Sequence, residues 1–353
     1  MSVKIRVLVV DDSALMRKTL REILGTDREI EVVGTARDGE DAVLKARELV
    51  PDVITMDVNM PLMDGLTSMQ YILEEFPDMP VLILSSITTD GALITFEALE
   101  LGAFDYIPKP SGTVSSNIYV IGKEIIAKVK AAYGYSRKSG LRRRILSARN
   151  PLPVRPVYTP RKNKDPETVS KVVVIGTSTG GPKTLSEILP MLPAELDASI
   201  IIVQHMPASF TSSFAKRLDN ESPFSFKEAR SGEKVADGKG YLAPGGFHTV
   251  VKRERLRLTT SPETLFMPSV NVTMESVLEC FGPRKTIGVL LTGMGDDGAD
   301  AMVKIRRAGG ITIAEDESTA IVFGMPREAI ERGGAEIVAP AYQIAEEIIK
   351  AVS

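Results

Sequence analysis

Two sets of residues in this 353-residue chain have the types and spacing to do chemistry. The first begins with a glycine turn, Gly176-Thr177-Ser178-Thr179-Gly180-Gly181, between an apolar run and an amphipathic one. The glycines let the backbone turn sharply and expose the Ser178 hydroxyl, and G-x-S-x-G is a spelling used by serine hydrolases. A dinucleotide loop, G-x-G-x-x-G, fits poorly, because Ser178 stands where a second glycine would let a pyrophosphate approach. A serine nucleophile needs a base, nearly always histidine, and the chain has two. His205, in Gln204-His205-Met206-Pro207, follows the next apolar run and so belongs at the same sheet edge. His248 follows Pro244-Gly245-Gly246-Phe247 and reads as a turn or surface residue that could line a substrate groove. Asp296 and Asp297, in Leu291-Thr292-Gly293-Met294-Gly295-Asp296-Asp297-Gly298, are both candidates for the carboxylate that orients the imidazole. The competing reading of either is a helix cap. The glycines beside Met294 leave backbone N–H groups open to an oxyanion.

The second set is acidic. Asp11 and Asp12 end one apolar run and Asp57 ends another. In open α/β sheets, ligands bind beyond the carboxyl ends of the strands. Three carboxylates gathered there repel one another unless a cation holds them, and hard oxygen ligands suit Mg²⁺. Ser85 offers a hydroxyl, and Lys109 in Pro108-Lys109-Pro110 a fixed positive charge. An anion site facing a cation site is what phosphoryl transfer requires, with Asp57 as the acceptor. Taken singly, the aspartates could be helix caps and Lys109 a surface charge.

These residues need elements to position them. Over the first 110 residues, short runs rich in Val, Ile and Leu alternate with amphipathic stretches, which predicts a parallel five-stranded sheet with helices on both faces. A last helix over about residues 117–133 closes this unit. The alternation resumes at Lys171 with expected strands at 171–175, 199–204, 286–292 and 311–314. Between them, Phe224–Thr260 alternates more tightly and has turn signals at Asp237-Gly238 and Pro244-Gly245-Gly246, which predicts a short antiparallel insertion. The fold class is therefore α/β: a five-stranded parallel-sheet domain over 1–134, a basic linker over 135–170, and a doubly wound domain over 171–353.

The linker expectation rests on composition. Ser136–Lys171 holds eleven Lys or Arg, two acidic residues and five prolines. The Arg142-Arg143-Arg144 cluster could touch nucleic acid, but a solvated linker is the simpler reading. A formal net charge of −3 argues against a nucleic-acid-binding chain. A single cysteine, Cys280, permits no internal disulfide, fits a reducing compartment and reads as an apolar filler on a helix. The N-terminal apolar run is short and ends in two aspartates, unlike a signal peptide. No stretch approaches the roughly 18 apolar residues that span a bilayer, so a soluble cytoplasmic protein is expected.

The segment from residue 4 to about 128 resembles the receiver domain of response regulators, through VVDDS, MDVNMPLMDG, Ser85, and Lys109-Pro110 with Tyr106 before them. The resemblance implies phosphorylation on Asp57, and a switch built on Ser85, Tyr106 and Lys109. It also implies Mg²⁺ held by Asp12, Asp57 and the Asn59 carbonyl, with Asp11 acting partly through water, and a cis Lys109-Pro110 peptide. GTSTGG, QHMP and LTGMGDDGA resemble the signature segments of the chemotaxis methylesterase family, CheB, and the likeness covers both domains in order. It implies Ser178 as nucleophile, His205 as base, Asp297 as orienting acid and the Met294 N–H in the oxyanion hole, with Thr177 and Thr179 shaping the turn. Asp296 becomes the weaker acid candidate.

The implied substrates are glutamate γ-methyl esters on chemoreceptors, with receptor glutamines as further substrates. The implied phosphodonor is the chemotaxis histidine kinase. The esterase domain is expected to need no cofactor. The protein is expected to act at membrane receptor arrays without inserting, to bind no nucleic acid and to be a monomer. Before phosphorylation, the receiver is expected to cover the esterase cleft. Two other readings are a DNA-binding output and a catalytically inert interaction module. Salt-dependent DNA binding would favour the former, and failure of Ser178 to react with a serine-directed probe the latter.

Overall fold

A computed structural model describes residues 4–86, 88–109, 121–147 and 169–353. The chain divides into two compact units, Met1–Pro151 and Leu152–Ser353.

In the first unit, β1 (Ile5–Val10), β2 (Ile30–Ala36), β3 (Val53–Asp57), β4 (Val81–Ser86) and β5 (Asp105–Lys109) form one parallel sheet in the order β2-β1-β3-β4-β5. Residues of β3 are all buried, as expected for a strand covered on both faces. Helices α1 (Ala14–Gly25), α2 (Gly39–Leu49), α3 (Gly65–Glu75) and α4 (Thr89–Leu101) connect the strands. Local chemistry sets their starts: Ser13, Asp38, Asp64 and Thr88 each accept a backbone N–H of the first turn. The strand order reverses at β1 and β3, so the crevice where ligands bind opens at their carboxyl ends.

The closing helix, α5, spans Gly122–Ser147 and runs into the stretch expected to be linker. Lys, Arg, Ala and Leu are good helix formers, and a run of one charge sign does not forbid a helix. The remainder of the expected linker, 148–168, and Pro110 with its expected cis bond lie outside the described residues.

In the second unit, β6 (Val172–Thr177), β7 (Ser199–Gln204), β8 (Ser225–Glu228), β9 (Lys239–Leu242), β12 (Thr286–Leu290), β13 (Ile311–Glu315) and β14 (Ile337–Ala339) make a seven-stranded parallel sheet. Its order is β14-β13-β12-β6-β7-β9-β8. Among the described residues, the antiparallel strand pair is a hairpin of β10 (His248–Lys252) and β11 (Arg255–Thr259), with one isolated antiparallel bridge between Lys234 and Arg255. The expectation for Phe224–Thr260 is thus corrected in part: β8 and β9 extend the main sheet in parallel. Four-residue runs bounded by turn signals do not reveal strand direction, which is set by the pairing of β9 with the buried β7.

Helices α6 (Gly181–Ile188), α7 (Ala208–Glu221), α8 (Val270–Phe281), α9 (Ala299–Ala308), α10 (Met325–Glu331) and α11 (Ala341–Val352) cover the sheet. One core cluster runs from Val172 and Val174 of β6 to Val270, Met274 and Val277 of α8 and Met302 and Ile305 of α9. Cys280 lies on α8, packed against this core. The strand order turns at β6 and β12, and the segments beyond their ends carry Ser178 and Asp297. Among the described residues no helix is long and apolar enough to cross a membrane.

Candidate active site and phosphoacceptor site

In the second unit, three strand ends converge. Register pairs Thr177 of β6 with Gln204 of β7, so Ser178 and His205 leave adjacent strands side by side. The His205 N–H donates to the Thr177 carbonyl at 3.2 Å, and the Ser178 N–H donates to the Thr292 carbonyl at 3.0 Å. Gln204 is buried, and its Nε2 donates to the carbonyls of both Ser178 (2.9 Å) and His205 (3.1 Å). The threonines beside Ser178 are fastened to the same loop: Thr177 Oγ1 donates to the Thr292 carbonyl, and Thr292 Oγ1 donates to the Thr179 carbonyl. Gly293 packs directly against the serine; a Cβ there would stand 2.9 Å from Ser178 Cβ.

His205 Nε2 lies 2.9 Å from Asp297 Oδ2. Asp297 is buried and accepts three further hydrogen bonds: Ser269 Oγ at 2.8 Å, Val270 N at 2.6 Å and Asn271 N at 3.0 Å. Its carboxylate therefore sits on the N-terminus of α8, where free N–H groups and the helix dipole favour an anion. Burial alone would push Asp297 up, but the His205 contact and the N–H groups of Asn271 and Val270 outweigh it and hold this acid below the usual carboxylate range. An ionised carboxylate only accepts, so Nε2 carries the imidazole proton and Nδ1 the lone pair. His205 Nδ1 is buried and accepts no hydrogen bond among the described residues.

The two aspartates differ in their contacts. Asp296 is exposed and pairs with Arg332 at 2.7 Å, while Asp297 alone meets the imidazole. The Met294 N–H makes no hydrogen bond among the described residues. Met294 also borders a cleft lined by Phe323, Gly324, Arg327 and Glu328.

Several site residues went unnoticed in the sequence. The Phe266 ring stacks on His205, with centroids 4.2 Å apart and planes at 9°. Ser269 was legible only as a hydroxyl preceding a helix, a pattern shared by many caps. The expectation for His248 is corrected: it is neither a turn nor a surface residue but wholly buried at the start of β10.

In the first unit, Asp11, Asp12 and Asp57 each bring a carboxylate oxygen within 4.8 Å of the others. Lys109 Nζ stands 2.8 Å from both Asp11 and Asp57. Burial pushes Asp57 above the usual range; Lys109 opposes the shift and the negative Asp11 and Asp12 add to it. Burial disfavours the Lys109 ammonium, but Asp11 and Asp57 outweigh that and hold it above the usual lysine range. Three carboxylates against one ammonium leave the crevice anionic, an oxygen-rich set that fits a hard divalent cation. Asn59 is exposed in the loop just beyond β3. Ser85 is buried and donates to the Gly91 carbonyl at 3.0 Å rather than into the crevice. Tyr106 is buried, with Lys128 Nζ 5.2 Å from its ring centroid.

The fold and the two sites define a class: a receiver-type α/β unit joined to an α/β unit in which a His205–Asp297 pair lies next to the Ser178 turn. The second unit matches the CheB methylesterase family over residues 173–348, and the first matches the response regulator receiver domain over residues 7–115. The chain is 54% identical over 365 residues to a protein-glutamate methylesterase/protein-glutamine glutaminase of Caldanaerobacter subterraneus subsp. tengcongensis, covering 100% of this chain and 98% of that protein. A Carboxydothermus hydrogenoformans protein of the same description is 54% identical over 357 residues, covering 99% of each. One from Pyrococcus horikoshii is 45% identical over 354 residues, covering 99% of this chain and 94% of that protein. The chain belongs to the CheB family of receiver-linked protein-glutamate methylesterases/protein-glutamine glutaminases. The DNA-binding and inert-module readings are not favoured.

Proposed function

We propose that the second unit hydrolyses glutamate γ-methyl esters on chemoreceptors, and deamidates receptor glutamines, by acyl transfer through Ser178. The observation that carries the reading is the His205–Asp297 pair, which leaves a buried, unbonded ring nitrogen as the base. His205 Nδ1 takes the Ser178 proton as the oxygen attacks the γ-carbonyl. The Met294 N–H is assigned to the oxyanion; losing one such donor costs about 10²–10³ in rate. The proton then passes to the departing methoxide or amide nitrogen, releasing methanol or ammonia. Water, deprotonated by His205, cleaves the acyl-enzyme to glutamate and regenerates Ser178. Removing the His205 proton partner would strand the imidazolium, which the ionised Asp297 stabilises.

Asp57 is the proposed phosphoacceptor, served by a chemotaxis histidine kinase, with Ser85, Tyr106 and Lys109 as the switch. Asp11, Asp12, Asp57 and the Asn59 carbonyl would hold Mg²⁺, which when bound supplies charge neutralisation for phosphoryl transfer. Phosphorylation is proposed to raise esterase activity; a coupling of about 1–3 kcal/mol corresponds to roughly 5–150-fold. The protein is assigned to the cytoplasm, working on receptor arrays without entering the membrane.

The test is methanol and ammonia release from methylated and amidated receptor membranes. Wild type should turn over and respond to a small-molecule phosphodonor. Ser178→Ala should be inactive, and Asp57→Ala active but unresponsive. Turnover that survives Ser178→Ala would refute the assignment.

A further inference from the structure

We propose that Ser269 and His248 are positioning residues that fix the Asp297 carboxylate for His205. The inference rests on the acyl-transfer reading above and deepens it. Ser269 is 3% exposed, and its hydroxyl donates to Asp297 Oδ1 at 2.8 Å. The Ser269 hydroxyl oxygen accepts the Val272 N–H, so Ser269 caps α8 while holding the acid. The Ser269 backbone N–H donates in turn to His248 Nδ1 at 3.1 Å. On the other side of that ring, Nε2 lies 2.9 Å from the Pro262 carbonyl. A carbonyl only accepts, so the proton is on Nε2 and the ring is neutral, bonded through both nitrogens.

One buried imidazole therefore ties down the chain at Pro262 and at Ser269. Phe266, which stacks on His205, lies between those two points. The strand β10 thus fixes both the ring that packs against the base and the hydroxyl that holds its partner acid. With Oδ1 occupied by Ser269 and Asn271, Oδ2 is the oxygen presented to His205. Without the Ser269 donor, two backbone N–H groups still hold the carboxylate, Asn271 on Oδ1 and Val270 on Oδ2, but its third tether is lost and the direction it gives the imidazole loosens. Misorientation of this kind slows the chemical step and leaves substrate binding alone.

The test uses the full-length chain. Ser269→Gly removes the donor yet keeps a tolerable helix cap, whereas Ser269→Thr keeps both functions. Ser269→Gly should lower kcat about 10–100-fold, the range expected when a catalytic group is misplaced by up to an ångström. KM should not change, and Ser269→Thr should restore kcat. The low-field NMR resonance of the His205 Nε2 proton should broaden or move upfield in Ser269→Gly and return in Ser269→Thr. His248→Gln combined with Ser269→Gly should cost less than the sum of the two single effects, because His248 acts in part through Ser269. Wild-type kcat with an unmoved resonance in Ser269→Gly would overturn the proposal, as would fully additive effects of the two changes. A wild-type chain that releases neither methanol nor ammonia would instead strike the acyl-transfer reading, and the His205 resonance would still decide this one.

Discussion

Asp297 Oδ2 stands 2.9 Å from Nε2 of His205, so the ring presents Nδ1 as its basic nitrogen. Replacing the acid by its amide leaves the shape but not the preference for a proton on Nε2. Asp297→Asn should therefore lower kcat on the order of 10⁴-fold, as loss of the correct tautomer does in serine hydrolases. Steady-state methanol release at saturating receptor, with folding verified by circular dichroism, checks this.

The same acid makes stability depend on pH. Asp297 is held below its ordinary value in the folded state, with burial opposed and outweighed by His205 and the α8 N–H groups. A depressed acid contributes stability that is fully present above its unfolded value, about 3.9. That contribution is lost as pH falls through the lower folded value. Urea unfolding from pH 7 down to pH 2 should show this loss in wild type, and Asp297→Asn should flatten it.

Gly293 has no room for a side chain. A Cβ there would stand 2.9 Å from Ser178 Cβ and 3.1 Å from Ser178 N, and would also strike Met325 Sδ. The methionine tip can move aside, but the Ser178 backbone cannot without shifting the hydroxyl. Gly293→Ala should thus cost about 10² in kcat, the effect of an ångström's misplacement. Reaction with a fluorophosphonate probe, timed against wild type, measures it directly.

The acidic crevice of the first unit predicts cation-dependent stability. A ligand that binds only the folded state stabilises it by about 2.7 kcal/mol at one hundred times its Kd. Mg²⁺ should slow amide hydrogen exchange in β1 and β3, whose ends carry Asp11, Asp12 and Asp57. Asp12→Asn and Asp57→Asn should each remove most of that protection.

The sequence by itself determined the alternation of strands and helices, because apolar periodicity and capping residues are local properties. It also confined the base to two candidates by having two histidines, and put Ser178 and His205 beyond consecutive strands. The family resemblance preferred Asp297, but only the tertiary structure showed that Asp296 and Asp297, neighbours in the chain, face Arg332 and His205 respectively. That structure alone brought Phe266, Ser269 and His248 to the site, turned β8 and β9 parallel to their neighbours, and carried α5 to Ser147. Hydrogen bonds and ring contacts act over a few ångströms. Which atoms come that close is decided when distant segments pack, and no local pattern of residue types encodes it.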